Sequence, residues 1–116
     1  MKRVQISYPK PILSPNYRAH GARKGAAGKK HREEATWAAK AVGVRQNAFI
    51  GDEIKVHLVF HPRAVRKRDQ DNAIASMKWA LDGISNALGV DDSLFRITAE
   101  FAEPRATPCV YVEIGL

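Results

Sequence analysis

Alternation opens the chain. Val4, Ile6 and Tyr8 alternate with polar residues and predict a short first strand. Pro9, Pro11 and Pro15 then impose an extended or turning path. A helix is expected over about 31–47, because Trp37, Ala41, Val44 and Ala48 recur every three to four residues and would share a face. Glu33 and Glu34 fall in its first turn, where the helix dipole favours anions. Gly51-Asp52 marks a turn. Ile54, Val56, Leu58 and Phe60 then alternate with Lys55, His57, Val59 and His61, a half-buried strand that Pro62 ends. Ile74, Met77, Leu81, Ile84 and Leu88 are spaced 3, 4, 3 and 4 apart, so a second helix starts near Asp71 or Asn72, and Gly89 caps it. After a VDDS loop, Phe95, Ile97, Ala99 and Phe101 alternate as a third strand. A Pro-rich turn over 103–108 leads to a last strand near 109–114.

The order is strand, helix, strand, helix, strand, strand. It predicts an α+β fold, a small mixed sheet packed with two main helices. With 116 residues and no shift in composition, one domain is expected. Apolar residues at 45% and charged residues at 27% are ordinary for a globular protein and exclude disorder along the whole chain. The lone Cys109 excludes an internal disulfide and a multi-cysteine zinc site. No apolar run approaches the ~20 residues of a membrane span. Pro9, Lys10 and Pro11 break up the segment after the basic start, against a secretory signal. A reducing cytoplasm is the expected setting.

Charge changes the picture further. The formal net charge is +7, and residues 1–46 carry 11 basic against 2 acidic side chains. Residues 47–116 carry 8 basic and 10 acidic. The asymmetry predicts a polyanion-binding surface supplied mainly by the first half. Residues 18–30, rich in Gly, Ala, Arg and Lys, are expected to form a basic flexible loop. Arg18, Arg23, Lys24, Lys29 and Lys30 there, with Arg66, Lys67 and Arg68 before the second helix, are the candidate nucleic-acid contacts.

Four carboxylates carry the candidate chemistry. Asp69 and Asp71 flank Gln70 where the second helix begins, and Asp91 and Asp92 follow its end. Asp-x-Asp among basic residues suits a hard divalent cation, since magnesium takes oxygen ligands and keeps several waters. The same residues also fit an ordinary N-cap and ordinary turn chemistry. A straight helix of about 18 residues would hold the two pairs roughly 27 Å apart, so they can meet only across the fold's return or between subunits. Asp71, Ala75, Lys78 and Asp82 fall on one flank of that helix. Lys78 is thus placed to stabilise charge on a phosphoryl oxygen, or to form a solvated pair with Asp82. Other motifs are weaker. Gly25-Ala26-Ala27-Gly28 has the GXXG form but no apolar helix before it, and no Gly-Lys-Ser/Thr comes after these glycines. His57 and His61 are expected on the polar side of their strand, and Trp37 and Trp79 as packing residues.

The stretch RKRDQDNAIASMKWALDGISNALGVDDSLF resembles the core motif of the RusA family of Holliday-junction resolvases. It has the basic run, the Asp-x-Asp-Asn opening a helix, the helical lysine and the later Asp-Asp. Pro11-Ile12-Leu13-Ser14-Pro15-Asn16-Tyr17-Arg18 is similar to the family's segment after its first strand. The resemblance implies a dimeric, cytoplasmic, bacterial or phage-encoded endodeoxyribonuclease of DNA recombination and repair. Such an enzyme needs Mg2+, with Mn2+ as a substitute, and cuts four-way DNA junctions symmetrically. It implies Asp69, Asp71 and Asp92 as metal ligands, with Asp91 as an alternate, and Lys78 as the catalytic lysine beside them. The family's lysine sits four residues after the second aspartate; Ala75 holds that place here, and Lys78 comes three residues later. A non-catalytic nucleic-acid-binding protein using the same basic surface is the competing expectation.

Overall fold

The computed structural model describes residues 1–18, 21–46, 51–65 and 69–116. It has the expected α+β architecture. Strands β1 (Lys2–Ser7), β2 (Ile54–His61), β3 (Phe95–Phe101) and β4 (Cys109–Ile114) form one sheet in the order β1-β4-β2-β3. β4 runs antiparallel to both its neighbours, and β2 and β3 are parallel. A parallel pair needs a long crossover. Here it consists of the helices α2 (Gln70–Ser76) and α3 (Lys78–Leu88). A longer helix, α1 (Gly21–Ala41), lies between β1 and β2 in the chain.

The strands match the alternation closely, because one sheet face must be buried and a one-residue slip would expose it. Val4, Ile6, Val56, Leu58, Phe60, Val112 and Ile114 are at most 1% exposed. On α3 the expected stripe is also buried through Met77, Leu81, Ile84 and Leu88. Gly89 caps the helix at φ 70°.

Four expectations need correction. The stretch from residue 21 to 30 is helical, the first ten residues of α1. Its alanines, lysines and arginines are strong helix formers, which outweigh the glycines. Trp37 and Ala41 do not face the core; Gly28, His31, Ala35 and Ala39 do. Small residues let α1 approach α3 closely, and Gly28 lies so near the Trp79 indole that a Cβ would overlap it. Val44 is buried from beyond the helix, after a turn at Gly43 with φ 89°. Ala48, the remaining member of that expected face, lies outside the described residues. The second helix is two helices, broken at Met77 (φ −91°, ψ 2°). Just before the break the Ser76 hydroxyl donates to the Asn72 carbonyl at 2.8 Å, a bond that bends helices. His61 is buried, because the 102–108 segment covers that end of β2. Its Nδ1 donates to the Glu103 carbonyl at 2.8 Å, and its ring meets Tyr111 edge-on.

Candidate functional site

The start of α2 is fixed by Asp69. Its carboxylate accepts the backbone N–H of Asp71 at 2.9 Å and of Asn72 at 3.4 Å, the N-cap geometry. The cap therefore falls on Asp69, two residues before Asp71. Gln70 ties the same turn to β3 by donating its side-chain amide to the Ala99 carbonyl at 2.6 Å. Asp69 lines a cleft of about 450 Å³ together with Lys10, Ser14, Arg63, Asn72 and Ser76. Two cations and several hydroxyl or amide groups thus face one carboxylate there.

Lys78 and Asp92 line a different hollow, of about 250 Å³, on the other side of α2. Its floor is apolar, made by Ile74, Leu81, Phe95 and Ile97. The turn after Gly89 carries Asp91 and Asp92 back along α3, which brings the Asp92 carboxyl beside that of Asp82. Asp82 is expected from the sequence only as a solvated partner of Lys78, by their four-residue spacing on a shared flank; its place beside Asp92 is what sequence reasoning misses.

The two carboxyls of the turn differ electrostatically. Asp91 accepts the Ser93 backbone N–H at 3.0 Å, and this bond holds its pKa below the usual carboxylate value. Asp92 is pushed up, first by the hydrogen bond with Asp82, then by burial and by Asp91. Crowded carboxylates of this kind favour a shared proton or a bound cation.

Asp71 is exposed, one turn before Ala75, which lines the Lys78 hollow. The structure therefore gathers Lys78, Asp82 and Asp92, with Asp91 adjacent, and turns Asp69 towards the other cleft. Among the described residues, no three His, Cys, Asp or Glu side chains converge as a group able to hold a metal ion. Arg23, Lys29 and Lys30 are exposed on α1, and Arg18 is exposed before it. Lys24 is half-buried, and its ammonium donates to the carbonyls of Ser14 at 3.2 Å and Tyr17 at 3.5 Å. Arg66, Lys67 and Arg68 lie outside the described residues. None of the described helices is long and apolar enough to cross a membrane.

A protein of Xylella fastidiosa (strain Temecula1 / ATCC 700964), described as an uncharacterized protein, is 32% identical to this chain over 96 residues. The match covers 82% of this chain and 63% of that protein's length. No family model matches the chain.

Proposed function

We propose that this protein is a divalent-metal-dependent endodeoxyribonuclease acting on branched DNA, with four-way junctions as its substrate. The observation that carries the reading is the return of Asp92 to α3, where it shares a hollow with Lys78 and lies beside Asp82. Support also comes from the resemblance of the 66–95 stretch to the RusA family and from the net charge of +7.

Magnesium is the ion this reading calls for, and two carboxylates, Asp92 at the hollow and Asp82 beside it, are the minimum it would have from one chain. A raised Asp92 beside Asp82 is a pair of acceptors short of positive charge, and Mg2+ needs only one or two carboxylates when waters and phosphate oxygens complete its shell. Asp92 and Asp82 would hold it, with Asp71 on the approach. When bound, such an ion lowers the pKa of a water and neutralises charge on a phosphoryl oxygen. Lys78 places a further positive charge on the same phosphate. Asp69 caps α2, and Lys10 and Arg63 across its cleft help seat the flanking DNA. A two-fold dimer would present two such sites for paired cuts and could supply carboxylates that one chain holds apart.

The test is a labelled four-way junction incubated with Mg2+ or with chelator. Symmetric nicks that need the metal are expected, and Asp92→Asn should suppress them while junction binding survives. Binding without cleavage across several divalent metals would identify the protein as a binding module. Flaps, duplexes and RNA on the same gel define the substrate.

A further inference from the structure

The mechanism leaves the outer face of α1 unused, and that face has an unusual make-up. Trp37 is 70% exposed, with the Lys40 ammonium 5.2 Å from its ring centroid. Helical spacing places Arg23, Ala26, Lys30 and Trp37 within one narrow sector, and all four are exposed. Arg23 and Ala26 also line an open hollow with Lys10 and Tyr17, and Tyr17 is 45% exposed. Two exposed aromatic rings therefore bracket a row of cations. Ala26 and Trp37 are eleven residues apart, about 16 Å along the axis. Glu33 and Glu34 are exposed on the two flanks of this sector, and the Glu34 carboxylate is taken up by the backbone N–H and hydroxyl of Ser7.

We infer that this face is a binding track for unpaired nucleic acid, on which Trp37 and Tyr17 stack against exposed bases and Arg23, Lys30 and Lys40 hold the adjoining phosphates. The inference rests on the branched-DNA reading and deepens it, because a branch point offers bases free of their stack. An indole on a helix surface cannot reach a base face inside an intact duplex, whereas every unpaired base presents one. Charge complementarity favours this occupant, since the row is cationic and the ligand polyanionic. A second copy of the chain would bring the same cations against themselves. It would also find a single large apolar side chain in the sector, against the roughly 800 Å² per partner of a stable interface.

The experiment is fluorescence anisotropy with a labelled oligo-dT single strand and a duplex of equal length. Trp37→Ala should weaken single-strand binding about 5- to 150-fold, the range for loss of one stacked base, and leave the salt slope unchanged. Trp37→Phe should restore most of the affinity. In a Trp79→Phe background, unlabelled oligo-dT should quench the Trp37 emission. Unchanged single-strand affinity in Trp37→Ala overturns the inference, as does unquenched Trp37 emission at saturating oligonucleotide. A fall in sedimentation mass for Trp37→Ala also overturns it, by showing the face to be a self-interface. Junction cleavage measured beside these separates the two proposals. Cleavage that persists with no Trp37 dependence leaves the nuclease standing alone. Trp37-dependent binding with no cleavage leaves the track standing alone.

Discussion

Asp69 has two separable properties. As an N-cap it accepts two backbone N–H groups, and Asp69→Ala should cost about 1 kcal/mol of stability by urea denaturation. Asn caps a helix as well as Asp does, so Asp69→Asn should hold stability within a few tenths of a kcal/mol. A loss of cleavage in that variant would then report on the charge of Asp69 in the Lys10–Arg63 cleft, separate from its capping. The Asp82–Asp92 contact gives a pH prediction. Because the folded state raises the Asp92 pKa, its contribution is most favourable below the ordinary carboxylate range and is lost as pH rises through the raised value. Asp91, lowered by Ser93, acts in the opposite sense, so the comparison must isolate Asp82. In Asp82→Asn the amide donates to Asp92. This variant should melt above the wild type at pH 7, and the gap should close below about pH 3.9. Equal melting at both pH values would show the two carboxyls to be independent.

At the scale of elements, α1 and α3 meet with almost no room to spare. A Cβ at Gly83 would run into the Arg32 carbonyl, and the Thr36 hydroxyl lies 3.1 Å from the Gly83 carbonyl as its donor. Gly83→Ala should therefore cost about 1–3 kcal/mol, measured by chemical denaturation, because backbone has to move. This packing explains which elements could be read in the sequence. Strands announce themselves through a period of two, and β2, β3 and β4 were legible to within a residue. The existence of α1 was legible but its buried face was not. A core stripe of Gly28, Ala35 and Ala39 carries little hydrophobic signal, and the bulk of Trp37 pulls the reading to the wrong side. The break at Met77 was hidden because the apolar stripe runs through it without interruption.

For the whole molecule, the charge distribution predicts how it meets DNA. Junction affinity should fall steeply with salt, and Arg66→Ala or Lys67→Ala should each make the log–log slope shallower by about 0.7–0.9. An unaltered slope would place the phosphate contacts elsewhere. The candidate site was legible as a motif, since Asp69, Asp71, Lys78, Asp91 and Asp92 all stand in one stretch. Its assembly was not. Whether Asp92 returns to α3, and which side of α2 Asp69 faces, depend on the bend at Met77 and on docking against β3, long-range outcomes that no local spacing encodes.

The most direct measurement is the single-turnover cleavage rate of a labelled four-way junction at saturating protein, for wild type and Asp92→Asn. The account predicts magnesium-dependent cleavage by the wild type. In the variant it predicts a rate lower by about a hundredfold or more, the scale of losing one electrostatic stabiliser at a reacting centre, with junction affinity preserved. Cleavage by Asp92→Asn at the wild-type rate, or none by the wild type with any divalent metal, would contradict it.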